Sequence, residues 1–172
     1  MPIEPETKDW TWVLERACPE CGTEAGAHSP ATAPDVLRDA VVRWEVVLRR
    51  PDAARRPDGS TWSPLEYAAH VRDVCAVFRT RLGLILAETR PTFPDWDQDA
   101  AAVADRYAEQ DPAAVAAELA GNARALSDAF AAVPHDAWER SGTRGDGTVF
   151  TVRTLAGYLV HEVLHHLHDV GG

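Results

Sequence analysis

The chain has 172 residues, of which 45% are hydrophobic and 26% are charged, and this composition fits one globular domain with a sizeable core. Its formal net charge of −10 argues against nucleic acid and anionic membranes as partners, because binding to either depends on clusters of basic residues. The first residues lack a signal-peptide pattern and no apolar run is long enough to span a bilayer, so we expect a cytoplasmic protein.

Four long amphipathic helices are predicted from periodic apolar residues and start signals, at about residues 33–49, 64–88, 112–133 and 152–170. The second has the clearest start, with Ser63 as N-cap, Pro64 at the first helical position and Glu66 completing a capping box. Such helices bury their apolar stripes against each other. We therefore predict an all-α four-helix bundle over residues 33–172, after an irregular N-terminal extension over residues 1–32.

The connecting segments are predicted to hold only short elements. Residues 9–14 are expected to form a short strand or an extended packing segment, and residues 100–107 a short helix. Residues 135–138 resemble one helical turn, and residues 141–147 a Gly-rich turn. The acidic and aromatic segment Phe93–Asp99 is either a lid over a binding pocket or an ordinary solvated loop.

The most informative segment is the histidine-rich end of the last helix. Residues four apart share a helix face, so His161 pairs with His165, and Glu162 with His166. At ~100° per residue, the second pair falls at the edge of the apolar arc of this helix and the first pair falls well outside it. We predict that Glu162 and His166 face a buried metal, with His161 and His165 as the fallback pair. Otherwise we expect the fallback pair and His168 to be solvated or to support the ligands.

His70 is the predicted third ligand. It lies on the second helix in register with Val74 and Phe78, inside or at the edge of the core. Imidazole and carboxylate ligands suit zinc best, with nickel, iron and manganese as alternatives, and three protein ligands leave positions open for a substrate. A single histidine on an apolar face is more often a hydrogen-bonded core residue. The four histidines clustered in the last helix favour the metal.

The first histidine pair also spells H-E-x-x-H, a motif of metalloproteases. That motif needs a further ligand and an extended strand that binds substrate, and very few residues follow it here. We therefore do not expect a protease.

The extension contains Cys18 and Cys21 in a C-x-x-C turn, which is half of a zinc knuckle. A structural zinc site needs four ligands, and His28 or Cys75 are the candidates to complete it. The alternatives are two reduced thiols that pack the turn or a redox pair. A reducing cytosol disfavours a structural disulfide.

Two segments resemble the DinB-like superfamily of four-helix metalloenzymes. Trp62–His70 is similar to its second-helix motif, in which a tryptophan before the helix precedes the first metal histidine. Glu162–Asp169 is similar to its last-helix motif, with two ligands four residues apart. The resemblance covers about residues 34–169. A glutamate in the middle ligand place is similar to the branch of mycothiol-dependent maleylpyruvate isomerases.

The resemblance implies transfer or isomerisation with a low-molecular-weight thiol, such as mycothiol or bacillithiol, as cosubstrate. A divalent metal would hold the thiol as thiolate against a small electrophilic substrate. In that case Asp73, His165 and Asp169 would orient ligands or carry protons. Arg81 would hold a substrate carboxylate, unless it forms a salt bridge. The expected state is a monomer or homodimer, and the alternative function is a non-catalytic, metal-binding or stress-associated bundle.

Overall fold

The computed structural model describes residue 3 and residues 9–172. Residues 1–2 and 4–8 lie outside the described residues. The expectation about a signal peptide rests on this start of the chain. The regular elements are α1 (Ala33–Leu48), α2 (Pro64–Ala87), β1 (Thr92–Phe93), α3 (Gln98–Ala104), α4 (Pro112–Ala131), β2 (Ser141–Arg144), β3 (Val149–Thr151) and α5 (Val152–Asp169). Short 3-10 helices cover Thr11–Leu14, Ala25–Ala27, Tyr107–Glu109 and His135–Ala137. Within the described residues, no helix has the length and apolar character that crossing a membrane requires.

The four long helices α1, α2, α4 and α5 form the predicted bundle. Helix α1 packs mainly on α4 and α5, and α2 packs on the same two helices, whereas α1 and α2 touch each other much less. The order around the bundle is therefore α1, α4, α2, α5, so that α1 lies diagonally opposite α2 and α4 lies diagonally opposite α5. The largest fully buried core side chains include Leu37, Trp44, Leu82, Leu119, Phe130 and Leu155. The prediction of an all-α bundle is confirmed.

Local signals fix the starts of the two helices that carry the site. The Ser63 hydroxyl accepts a hydrogen bond from the Glu66 backbone N–H at 3.2 Å, and the Ser63 N–H donates to the Glu66 carboxylate at 2.9 Å. The same carboxylate accepts from Nε of Arg56 at 2.9 Å. Thr151 and Thr154 form an equivalent capping box at α5. These caps satisfy backbone N–H groups that a helix start leaves without partners.

A small three-stranded sheet closes one end of the bundle and was not predicted. Strand β2 pairs antiparallel with β3 and parallel with β1. The strands are too short for a period-2 pattern to appear in the sequence, so residues 141–147 resembled a turn alone. Gly142 lets β2 approach its neighbours, because a Cβ there would lie 2.7 Å from the Phe93 ring. Since β3 ends at the N-cap of α5, the sheet sets where that helix begins.

The N-terminal extension lies against α5. Val13 and Ala25 are fully buried and belong to the same hydrophobic core as the bundle helices. Gly157 on α5 allows this close approach, because a Cβ at that position would overlap the Ala25 carbonyl oxygen. The alternatives of a strand or an extended segment for residues 9–14 are wrong: the Asp9 carboxylate accepts from the Thr11 N–H at 2.9 Å and begins a 3-10 turn.

Candidate metal centre

Three side chains from two helices converge in one cluster, which we call the inner triad: His70 on α2, and Glu162 and His166 on α5. Their possible ligand atoms all lie within 4.8 Å of one another. The Glu162 carboxylate is 3.6 Å from Nε2 of His70 and 3.8 Å from Nε2 of His166. The structure therefore brings together the three ligands chosen from helical periodicity.

Aromatic rings surround the inner triad. Trp96, from the segment between β1 and α3, stacks on His70 with ring centroids 5.5 Å apart and an interplanar angle of 10°. Trp62, just before α2, lies 5.6 Å from the same ring. Tyr67 lies 5.1 Å from His166. The Trp96 contact supports the lid alternative for segment 93–99, because one of its side chains covers a triad member.

The bonding state of His70 fits a metal ligand. This side chain is fully buried, and neither ring nitrogen has a hydrogen-bond partner among the described residues. Burial lowers its pKa, so the ring is neutral and offers a lone pair. A buried polar group without a partner costs about 1–3 kcal/mol, which a bound cation would offset. Two imidazoles and one carboxylate are also the donor set of several catalytic zinc sites.

The charges on α5 are arranged around Glu162. Burial raises the pKa of this carboxyl, but interactions with His166 and His70 outweigh burial and hold its pKa well below the usual range. Burial lowers the pKa of His166, but Asp169 and Glu162 outweigh that effect and raise it to about 9. A metal entering the triad must displace the His166 proton.

Asp169 positions His166. Its carboxylate accepts from Nδ1 of His166 at 2.9 Å, which fixes the ring so that Nε2 points toward Glu162. A carboxylate behind a histidine is the common support of metal ligands. The position of Asp169 therefore agrees with the role expected from the resemblance.

An open cavity of about 1100 Å³ adjoins the triad. Glu162 and His166 line it, together with aromatic and apolar residues and with acidic residues of the loops, which include Trp62, Tyr67, Val74, Phe78, Tyr158, Asp95 and Asp146. Typical small-molecule sites measure ~300–1,000 Å³. The cavity is slightly larger than this range and can therefore hold a small-molecule substrate.

Arg81 lies in the cavity wall and is almost fully buried. Its guanidinium sits 5.6 Å from the Phe78 ring and 5.2 Å from the Phe93 ring, and donates to the Pro94 carbonyl at 3.4 Å. Among the described residues no carboxylate lies within ion-pair distance of it, so the salt-bridge alternative is not seen. Burial, with the nearby Arg144, lowers its pKa. A buried guanidinium with no described carboxylate within ion-pair distance is suited to an anionic group of a substrate.

Asp73 lies away from the cavity wall. Its carboxylate accepts from the Tyr107 hydroxyl at 2.5 Å and from Nε of Arg72 at 2.7 Å. Arg72 also bonds to Asp105 and Glu118, each through a guanidinium nitrogen. These contacts tie α2 to the segment before α4 and to α4 itself. These bonds engage the Asp73 carboxylate, and its expected role in orienting ligands or carrying protons stays a prediction.

The fallback pair belongs to a separate cluster, which we call the outer cluster: Cys18, Cys21, His161 and His165. Their possible ligand atoms also lie within 4.8 Å of one another. Of the two alternatives for His161 and His165 outside the metal site, solvation is wrong, because both side chains are buried beneath the extension. His168, by contrast, is exposed.

Neither of the predicted partners of the cysteine turn belongs to the outer cluster. Cys75 is buried in the bundle core, where burial raises its pKa to about 12. His28 lies 3.4 Å from the Thr32 hydroxyl instead. The cysteines are instead grouped with His161 and His165. These histidines lie at the far end of the sequence, so the spacing of residues around the cysteines gave no indication of them.

Several cavity residues were not predicted. Tyr67 could have been found, because it lies one helical turn before His70 on the same face of α2. Tyr158 could have been found in the same way, because it lies one helical turn before Glu162 on α5. Arg144 could not, since the unpredicted sheet places it there. Arg144 pairs with Asp146 at 2.6 Å and lies 3.5 Å from Asp95. Burial raises the pKa of Tyr158.

Comparison with known proteins agrees with this architecture. The sequence matches the DinB superfamily over residues 48–170. No curated protein matches the sequence significantly. Among solved structures, the fold is similar to YfiT from Bacillus subtilis, described as a probable metal-dependent hydrolase with an unusual four-helix bundle topology. That match has a TM-score of 0.70 and 16% sequence identity, and it covers 83% of this chain and 82% of YfiT.

Proposed function

The chain belongs to the DinB superfamily, and on that premise we propose that it is a cytoplasmic, divalent-metal-dependent enzyme that uses a low-molecular-weight thiol. It would transfer the thiol to a small electrophile, or use it to isomerise one. The observation that carries the metal is His70, a fully buried imidazole beside Glu162 and His166 whose two nitrogens have no hydrogen-bond partner among the described residues. Zinc suits this donor set best, and nickel, iron and manganese also fit.

The residues of the chain have distinct parts in this proposal. When bound by His70, Glu162 and His166, the cation would supply Lewis acidity that lowers the pKa of a thiol. Asp169 holds His166 in the orientation that leaves Nε2 free for the metal. The Trp96 ring covers His70 and limits access of water to it.

The choice of a thiol rests on the resemblance at Glu162 and on the size of the cavity. Mycothiol is the first candidate, because a glutamate in the middle ligand place resembles the mycothiol-dependent isomerases. A cavity of about 1100 Å³ has room for both a thiol cosubstrate and an electrophile. Arg81 would hold a carboxylate of one of them.

Hydrolysis is the second candidate, and the likeness to YfiT favours it. The same triad would then activate water, and no thiol would be consumed. A non-catalytic metal-binding bundle is the third possibility. The open cavity beside the triad supports an enzyme over that alternative, because a purely structural site has a closed coordination sphere.

A paired screen tests the proposal. Zinc-loaded protein is incubated with varied electrophiles, with and without mycothiol, bacillithiol or glutathione, and conjugates and hydrolysis products are followed by mass spectrometry. We expect thiol-dependent products, and a rate lower by about a hundredfold or more in His70→Ala, because a Lewis acid contributes several kcal/mol.

His168→Ala is the matched control, since His168 is an exposed histidine on the same helix as the triad residues. It should keep the wild-type rate. Equal rates for wild type and His70→Ala would remove the metal mechanism. Products that form without thiol and depend on His70 would establish the hydrolase instead.

A further inference from the structure

The outer cluster brings together residues that the sequence separates widely. Cys18 and Cys21 lie in the turn of the extension, and His161 and His165 lie one turn apart on α5. The turn is fixed by two backbone hydrogen bonds, from the Gly22 N–H to the Cys18 carbonyl at 2.8 Å and from the Cys18 N–H to the Thr23 carbonyl at 3.0 Å.

The imidazole of His161 is buried without a hydrogen bond to any of the described residues. It is about 1% exposed, and neither of its ring nitrogens has a hydrogen-bond partner among the described residues. Leaving both nitrogens of a buried imidazole unpaired is costly. The Trp10 ring, 5.5 Å away, shields the imidazole without offering its nitrogens an acceptor or donor.

His165 already has the orientation of a supported metal ligand. Its Nδ1 faces Sγ of Cys18 at 3.8 Å. Its Nε2 faces two carboxylates, Glu20 at 3.6 Å and Asp169 at 3.7 Å. A histidine that binds a metal through one nitrogen commonly donates the other N–H to a carboxylate.

We propose that Cys18, Cys21, His161 and His165 form a second metal site, which binds zinc as a closed, structural centre. Two thiolates and two imidazoles form a common tetrahedral zinc set, and the spacings C-x2-C and H-x3-H fall within its usual range. Neighbouring ligands at such a site are separated by about 3.6 Å, given zinc–sulfur and zinc–nitrogen bonds of ~2.3 and ~2.0 Å. The distance of 3.8 Å from Cys18 to His165 is close to that value.

Binding at this centre is a simple exchange. Zinc displaces one proton from each cysteine thiol, and the two neutral imidazoles donate their lone pairs, so two protons leave per ion bound. With four protein ligands no position remains for substrate. The outer cluster therefore contributes stability, not catalysis.

The function of the site is to fasten the extension to the bundle. The same face of α5 carries Gly157, His161 and His165 at intervals of four residues. Gly157 receives the Ala25 segment, and the two histidines receive the cysteine turn. The residues of the H-E-x-x-H motif thus belong to two clusters. Its histidines, His161 and His165, face the extension, and its glutamate, Glu162, is part of the inner triad.

Metal content per chain tests this second site independently of the proposed function. Wild-type protein, variants and controls are produced with excess zinc, dialysed against a weak chelator and analysed by mass spectrometry for bound zinc. We expect two zinc ions in wild type, one in Cys21→Ser and one in His70→Ala. Cys21 is the least buried of the four ligands, so this variant disturbs packing least. The buried Cys75 serves as the matched control, and Cys75→Ala should keep two.

Cobalt substitution of His70→Ala gives a second readout without altering the outer cluster. We expect a thiolate-to-cobalt charge-transfer band in the near ultraviolet and the visible bands of tetrahedral cobalt. Absence of these bands, or equal zinc content in Cys21→Ser and wild type, would overturn the second site. If the inner triad binds no metal, wild type would hold a single zinc that Cys21→Ser loses, so the two failures are distinguishable.

Discussion

At the scale of single residues, each of the two candidate sites contains a buried histidine whose ring forms no hydrogen bond to the residues that the structure describes. Among the described residues, His70 and His161 are the two histidines whose ring nitrogens are both buried and without a hydrogen-bond partner. Each belongs to a different cluster of possible ligands. His166, in contrast, has Asp169 as a partner. Unsatisfied buried imidazoles are rare in folded proteins, so their placement in two ligand clusters indicates metals.

Arg81 provides a prediction at this scale about the substrate. Replacing it in Arg81→Gln removes the buried guanidinium that faces the cavity, and we expect a loss of about 10–100-fold in kcat/KM for a carboxylate-bearing electrophile. The methyl ester of the same electrophile should react with wild type and Arg81→Gln at similar rates. Steady-state kinetics with the acid and ester pair measures the difference.

The matched control is Arg79→Gln, because Arg79 is an exposed arginine on the same helix. It should leave both rates unchanged. If Arg81→Gln slowed the acid and the ester equally, Arg81 would serve the cavity structure and not an anionic group.

At the scale of elements, α5 shows how far the sequence could be taken. The 3.6-residue period predicted that Glu162 and His166 face His70, and they do, because the apolar arc marks the face that packs in the bundle. The same period placed His161 and His165 outside that arc. It could not show that the extension covers this second face, since a contact across more than a hundred residues leaves no local pattern.

Docking of the extension on α5 gives a prediction with an internal control. Gly157→Ala places a methyl group against the Ala25 carbonyl oxygen, and we expect unfolding to be easier by about 1–3 kcal/mol. Gly121→Ala, in α4, meets no atom within 4 Å and should stabilise the protein by about 0.5–1 kcal/mol. Urea denaturation of both variants measures these opposite signs.

If Gly157→Ala proved as stable as wild type, the extension could move away from α5 without loss. Zinc analysis of that variant adds a second observation. A shifted extension would separate the cysteine turn from His161 and His165, and the zinc content would then fall together with stability.

The start of α2 gives a further prediction about an element. Ser63→Ala removes the N-cap hydroxyl that accepts from the Glu66 N–H, and we expect a loss of about 1–2 kcal/mol in the free energy of unfolding. The exposed Ser60→Ala should change stability by less than about 0.5 kcal/mol. A Ser63→Ala protein with wild-type stability in urea would show that the remaining contacts of Glu66, with Arg56, suffice to hold the helix start.

At the scale of the whole molecule, the extension and the bundle share one core, and the predicted division at residue 32 does not separate two packing units. The long helices were predictable because each carries its own caps and apolar stripe. The order of helices around the bundle and the small sheet were not, because both depend on contacts between distant segments.

Removal of metal should therefore affect the whole fold. A ligand at a thousandfold its dissociation constant stabilises the native state by ~4 kcal/mol, so a strong chelator should lower the Tm of wild type by several degrees. Differential scanning calorimetry with and without chelator measures this shift. A Tm that does not respond to the chelator would contradict the structural role of zinc.

Asp169 lies between the two proposed sites and would couple them if both bind metal. One of its carboxylate oxygens accepts from His166 of the inner triad at 2.9 Å, and the other lies 3.7 Å from His165 of the outer cluster. Drawing this carboxylate toward one histidine weakens its hold on the other. Coupling free energies are reciprocal, so occupancy of either site would then change the affinity of the other by the same factor. The extension would then be an effector, through which zinc supply sets how readily the triad loads its own metal.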